Sequence, residues 1–423
     1  MPLVKKGNDA LRIDLAAPEG WTFAPGDRVI GDVVRCSPIV TSNADLTIFL
    51  RGRIQTGRSS VGNGSFPSQL TSAASQPVAS EQILLAKRYP IFQGPLCIPE
   101  GGNPISWSFT TNISPDPPRR VYGKFDVSYD YLPGTTSSVG RGGLATSTAW
   151  IDYYLEAELR YWQKGNGQNE IERKITAIHP IIMRHQPLQE FQEFGISQQI
   201  FKRKIRGHHL LPGVGHSSLT MKQKARQRFG SSKVPELFFQ VEVYTPTTIQ
   251  LDNSAVLPLN LIIVQNADTS EEIKNVPRNA LINSVALYIE TCTFVKYHGA
   301  SLEADYSKPT NSACSTPAKS VGSHSCIQDL HLEATIRRIN NFPFEVPIGE
   351  GTIDLGSVLQ MTLRSDGLTV AGNRLQKVQP LTPSFDVYNL RVMNWLKVDI
   401  SVTVADETFL LSAKAPVTIL AAE

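Results

Sequence analysis

Hydrophobic and polar residues alternate with a period of two through most of the chain, beginning at Leu11, Ile13 and Leu15, which are separated by Arg12 and Asp14. That period belongs to a strand with one buried face and one wet face. Trp21 and Phe23 then lead into Ala24-Pro25-Gly26-Asp27. Proline fixes φ and glycine permits a positive φ there, so the chain is predicted to reverse, by a hairpin or a tight corner, into a second strand over Arg28 to Cys36. In a third run, Leu46, Ile48 and Leu50 alternate with Thr47, Phe49 and Arg51 up to Gly52, whose missing side chain predicts a bulge or a close backbone approach.

The two halves repeat one plan. Ile151, Tyr153, Leu155, Ala157, Leu159 and Tyr161 alternate along a long strand, Gly165-Asn166-Gly167 turns, and Ile171 to Ile178 returns. In the second half Leu396, Val398, Ile400, Val402 and Val404 alternate likewise, Ala405-Asp406-Glu407 turns, and Phe409 to Leu420 returns. Further strands are predicted where Phe239, Val241 and Val243 alternate, over Leu257 to Val264, and around Val285, Leu287 and Ile289. Short strands with Gly, Pro and Ser turns and no sustained helical period predict an all-β chain of two tandem antiparallel sandwiches.

Three stretches rich in Ser, Gly and Thr, at 57–80, 133–149 and 301–326, contain few large apolar residues and are predicted to be mobile loops. One helix is predicted, over Ser218 to Phe229: Ser218 is placed to cap its start, basic residues suit its C-terminal end, and Gly230 stops it.

Composition narrows the class. A chain of 423 residues with 41% hydrophobic and 19% charged residues can bury full cores. Its net charge of +3 gives no whole-molecule attraction to nucleic acid, so charge has to be read by segment. No apolar run approaches the roughly 20 residues of a membrane span, and the opening MPLVKKGNDA lacks the apolar stretch of a secretory signal. The expected compartment is the cytosol, with the plasma membrane or endosomes as peripheral stations. Cys36, Cys97, Cys292, Cys314 and Cys326 are scattered and odd in number, and free thiols are expected.

The strongest charge asymmetry lies in 200–233, which holds Lys202, Arg203, Lys204, Arg206, Lys222, Lys224, Arg226, Arg228 and Lys233 and no Asp or Glu. Such a segment suits anionic lipid headgroups or a phosphorylated protein tail. The plainer alternative is a solvated connector whose charges pair with carboxylates of the adjoining sandwiches. Nucleic-acid binding is not expected, because only Phe201 and Phe229 stand among the charges to stack on bases.

FAPGDRVIGDVV (23–34) followed by LTIFLRGRIQT (46–56) resembles the N-terminal domain of the arrestin superfamily. FQGPLCIPEGGNPISWSF (92–109), AWIDYYLEAELR (149–160), the segment 210–246 and LTPSFDVYNLRVMNWLKVDISV (381–402) follow in the order shown by its fungal arrestin-like branch. The resemblance implies an N-terminal arrestin-like sandwich over 1–190, a basic connector with the short helix over 191–233, and a C-terminal arrestin-like sandwich over 234–423. It also implies a cytosolic adaptor that grips membrane-protein tails or trafficking and signalling proteins, in endocytosis for instance, with no cofactor. The alternative from the same superfamily is a retromer-type or coat-type peripheral subunit. Lys5 and Lys6 resemble the lysine pair that receptor-binding arrestins set beside their first strand to meet phosphates. Arg51 and Arg53 share one strand face and could extend that basic surface, although plain surface charges are the simpler reading of both pairs.

Several fungal arrestin-like adaptors recruit a ubiquitin ligase through Pro-Pro-x-Tyr. This chain has only Pro117-Pro118, with Tyr122 too far on, so any ligase would have to be met another way. No G-x-S-x-G, H-E-x-x-H, G-x-x-x-x-G-K or G-x-G-x-x-G occurs, and no enzymatic activity is expected. Cys314, His324, Cys326 and His331 lie close in sequence, but their spacing matches no common zinc pattern. His208, His209 and His216 fall among cations with no acidic co-ligand and read as loop histidines.

Overall fold

The computed structural model describes residues 7, 10–60, 78–114, 132–142, 145–164, 170–185, 195–214, 219–229, 233–296, 324–336, 344–349, 351–374, 381–387 and 390–422. The chain is all-β apart from short helices, and it forms two compact units. Where the sequence divides the chain linearly, the units do not: the first contains Met1–Gln186 together with Cys292–Gln328 and Phe385–Val392, and the remainder forms the second.

The first unit begins with β1 (Arg12–Leu15), β2 (Thr22–Phe23), β3 (Arg28–Arg35), β4 (Ile39–Ser60), β5 (Val78–Ile98), β6 (Ile105–Asn112), β7 (Thr136–Gly142), β8 (Ala145–Lys164) and β9 (Glu170–Met183). A three-stranded sheet, β1-β3-β6, forms one layer, and a six-stranded sheet, β2-β9-β8-β4-β5 with β7 on β8, forms the other. Ile13, Val29 and Val33 from the first layer pack with Leu46, Ile48, Leu50, Ile151 and Leu155 from the second. Val295, Phe385, Val387, Leu390 and Val392, from far along the chain, complete this core.

The APGD turn proves to be a corner between layers. Thr22 and Phe23 pair in parallel with β9, while β3 pairs with β1 and β6. Gly26 has φ +96°, and the Asp27 carboxylate accepts the Ala24 amide at 2.7 Å. Gly52 is both a bulge and a close approach. The β4–β5 register shifts between Gly52 and Arg53, and a Cβ on Gly52 would lie 2.6 Å from the Tyr153 ring. Two predicted loops are partly strand. Residues 57–60 finish β4 and 78–80 start β5, and Thr136–Gly142 pairs antiparallel with the start of β8. A ladder satisfies backbone N–H and C=O whatever the side chains, so Ser, Thr and Gly suffice beside an established strand. Residues 301–323 lie outside the described residues, and His324 onward is strand.

The second unit is built mainly from β10 (Ile196–Arg206), β11 (Glu236–Pro246), β12 (Thr248–Gln250), β13 (Asn260–Gln265), β14 (Asn279–Lys296), β15 (His324–Ile336), β16 (Phe344–Pro347), β17 (Ile353–Asp354), β18 (Met361–Arg364), β19 (Gly367–Val370) and β20 (Asn373–Arg374). After β21 (Phe385–Val387), which belongs to the first unit, the chain ends in the hairpin of β22 (Leu390–Val404) and β23 (Glu407–Leu420). The sheet β10-β11-β13-β17 packs against the β22–β23 hairpin through Phe239, Val241 and Leu261 on one side and Val398, Ile400 and Leu411 on the other. The hairpin turns on two residues, since Val404 pairs with Glu407 while Ala405 and Asp406 adopt φ +47° and +66°. Among the described residues, the α-helices are α1 (Met221–Arg228) and α2 (Leu355–Leu359).

Candidate functional site

The basic segment divides into a strand and a helix, both in the second unit. Residues 196–206, expected as connector, form β10, which pairs with β11 along its whole length from Ile196↔Pro246 to Arg206↔Glu236. Strand pairing wins here because Ile205 is fully buried and Phe201 packs against the core, which sets the pleat. Alternation then sorts the charges. Lys202 and Lys204 face outward and exposed, while Arg203 takes the other face and donates from Nη1 to the Lys202 carbonyl at 3.1 Å.

One carboxylate from the next strand answers the acid-free run. Glu236 meets Lys204 Nζ at 2.8 Å and Arg206 Nε at 3.3 Å, and Lys204 also lies 5.0 Å above the Phe238 ring. Lys202 has no ion pair among the described residues. The nearest further acid on this face, Glu242, is saturated by neutral donors: Gln198 Nε2 at 2.9 Å, Gln240 Nε2 at 2.8 Å and the Tyr244 hydroxyl at 2.7 Å. Donating to that carboxylate raises the Tyr244 pKa, since losing the proton would set two anions side by side.

The helix cap is Thr220, two residues later than predicted. Thr220 forms a capping box in which its hydroxyl accepts the Gln223 amide and Gln223 Oε1 accepts the Thr220 amide at 2.8 Å. Ser218 and Gly230 lie outside the described residues. No residue of α1 is buried, and Lys222, Lys224, Arg226 and Arg228 have no ion pair among the described residues. Gln227 Nε2 donates to the Arg206 carbonyl at 3.4 Å, joining α1 to the end of β10. Neither the strand nor its counter-charge was read from the sequence, which gave a connector here: the place of Glu236 opposite Arg206 depends on pairing across the helical insertion.

The weaker candidates are internally neutralised or lie elsewhere. Arg51 Nε meets Glu156 at 2.9 Å, and Arg53 meets Glu81 at 3.4 Å and the buried Asp152 at 3.9 Å. Both guanidiniums also lie over aromatic rings, Phe49 and Tyr154 respectively. Lys5 and Lys6 lie outside the described residues. On the same outer face of the six-stranded sheet is a groove of about 640 Å³, lined by Arg51, Arg88, Glu158, Arg160, Glu172 and Lys174 among others. Burial would raise the Glu158 pKa, but hydrogen bonds from Lys174 and Arg160 outweigh it and hold the carboxyl below its usual range. Charges of both signs line this groove, so it has no preference for anions.

Cys36 and Cys97 are free thiols, and Cys314 lies outside the described residues. Among the described residues, no cluster of three or more His, Cys, Asp or Glu could hold a metal ion. His208 is buried in a short helical turn, His209 is half-buried beside it, and His216 lies outside the described residues. No described helix is long and apolar enough to cross a membrane. Neither protein-family models nor curated proteins match this chain.

Proposed function

We propose that this chain is a cytosolic arrestin-like adaptor, which binds cytosolic tails of membrane proteins or trafficking and signalling partners through the basic surface of β10 and α1. The observation that carries the reading is the unpaired charge of that surface: Lys202, Lys222, Lys224, Arg226 and Arg228 have no ion pair among the described residues. Unpaired cations on neighbouring elements favour an anionic partner, and phosphate groups make strong charge-assisted hydrogen bonds with Arg and Lys. Two layered β-units in tandem offer such a partner sheet faces and strand edges. The resemblance to arrestin-like proteins in motif order supports the same role, with endocytosis or signalling at the plasma membrane as its setting.

Proximity labelling from the full chain in living cells tests the role. Integral membrane proteins with cytosolic tails should be enriched, and the enrichment should fall when Lys202, Lys222, Lys224, Arg226 and Arg228 are changed together to Gln. A labelled set without membrane or trafficking proteins would sink the adaptor reading.

A further inference from the structure

We infer that α1 is a membrane-docking element, seated on an anionic bilayer with Met221 and Phe229 inserted among the headgroups. This rests on the reading of the β10–α1 surface as anion-seeking, and it commits that surface to one partner.

The inference comes from how the helix distributes its side chains. Successive residues turn by about 100° around a helix, so residues four apart share a face. Met221, Ala225 and the C-cap residue Phe229 therefore form one apolar stripe. Lys222 and Arg226 flank it on one side, and Lys224 and Arg228 on the other. The opposite face carries Gln223 and Gln227, both partly covered, and Gln227 is tied to the Arg206 carbonyl at 3.4 Å. The glutamines thus turn toward the protein body and the apolar stripe turns away from it. Met221 is 86% and Phe229 84% exposed.

Two large apolar side chains left in water on the most basic element of the chain need a partner with an oily interior and a negative surface. An anionic bilayer provides both within one helix diameter. A phosphorylated peptide would satisfy the four cations and leave Met221 and Phe229 in water. The apolar area is small, so charge supplies most of the attraction and the two apolar side chains supply the part that salt does not screen. Lys202, outward and unpaired on the adjoining strand, adds to the same field.

Co-sedimentation of the full chain tests this, using phosphatidylcholine vesicles with and without phosphatidylserine. Binding is expected only with phosphatidylserine. Changing Lys222, Lys224, Arg226 and Arg228 to Gln should weaken it by about 600-fold, at about fivefold for each of the four basic residues near a charged surface. The Met221→Ser/Phe229→Ser variant should lose the binding that persists at raised salt. Neither variant changes a buried side chain, and their circular dichroism and thermal midpoint should match the parent. Equal partition onto both vesicle types, or a Met221→Ser/Phe229→Ser variant that binds like the parent at every salt concentration, overturns the inference. If vesicles fail while a phosphoserine-rich peptide binds and the four-Gln variant loses it, membrane docking is wrong and the tail-binding adaptor stands.

Discussion

The side-chain amide of Gln199 grips both backbone groups of Lys414: its Nε2 donates to the Lys414 carbonyl at 2.5 Å, and the Lys414 amide donates to its Oε1 at 3.2 Å. One residue of β10 thus imitates a neighbouring strand on β23, whose pairing with β12 covers only Thr418 to Leu420. An open strand edge is a template for unwanted pairing, and this clasp occupies it locally.

Gln199→Ala should therefore cost about 1 kcal/mol of stability, the net worth of lost hydrogen bonds at a partly solvated edge. The sharper readout is hydrogen exchange: the Lys414 amide should exchange faster in the variant, while amides inside the β22–β23 ladder keep their protection. Unchanged exchange at Lys414 would mean that the clasp does not persist in solution.

Glu236 is a carboxylate paired with the basic strand, reaching both Lys204 and Arg206. Glu236→Gln should remove one negative charge beside Lys204 and Arg206 and raise affinity for phosphatidylserine vesicles by about fivefold, one charge's worth. Stability should move by less than about 1 kcal/mol, because these pairs are solvent-screened. Weaker vesicle binding by the variant would show that Glu236 organises the surface and does not neutralise it.

Gly52 has no room for a methyl group, with Tyr153 ring atoms 2.6 Å from an added Cβ. That ring is held in place: Tyr153 is buried, and its hydroxyl donates to the Pro133 carbonyl at 2.8 Å. Gly52→Ala should destabilise the first unit by about 1–3 kcal/mol through overpacking. Tyr153→Phe, which removes only the hydroxyl, should cost about 1 kcal/mol. Denaturant unfolding of both variants checks the order, and a Gly52→Ala variant as stable as the parent would rule out the close approach.

His185 stacks on Phe385 with ring centroids 5.4 Å apart, and its Nδ1 accepts the Gly134 amide at 3.2 Å, so the neutral ring carries its proton on Nε2. Burial lowers its pKa from 6.5 to about 4. Above the unfolded value both states are neutral and the histidine adds no pH dependence. Between 6.5 and about 4 the unfolded chain takes up a proton that the native state refuses, so stability falls as pH falls. The loss has a ceiling of about 3 kcal/mol, reduced by the partial exposure of the ring. His185→Asn keeps an acceptor for Gly134 and should flatten stability across that window. The same acid sensitivity in both proteins would acquit His185.

Much of the fold was legible residue by residue. The alternation at Leu46, Ile48 and Leu50 and from Leu396 to Val404 is strand and hairpin as read, and the absent side chain at Gly52 meant both a bulge and a close approach. The serine- and glycine-rich segment at 133–149 misled because its composition describes a lack of core-forming side chains, whereas its strands are held by ladder bonds to a neighbour. The basic run misled in a similar way. Its lack of acids suggested a connector, yet Phe201 and Ile205 dock 196–206 as a strand; the pairing of Lys204 and Arg206 with Glu236 agrees with the plainer reading that these charges meet carboxylates of a sandwich.

By itself the sequence determined what depends on neighbours along the chain: the period of two, the turn chemistry of APGD, and the patterning of Met221, Phe229 and the four cations around α1. Only the tertiary structure decided what depends on partners distant in sequence. It joined Phe385, Val387, Leu390 and Val392 to the core of a unit that begins near residue 11, and it set Glu236 against Lys204 and Arg206. Local pattern records which face of a strand seeks oil. Which strand covers that face, and which charge answers which, follows from long-range pairing that no window of sequence contains.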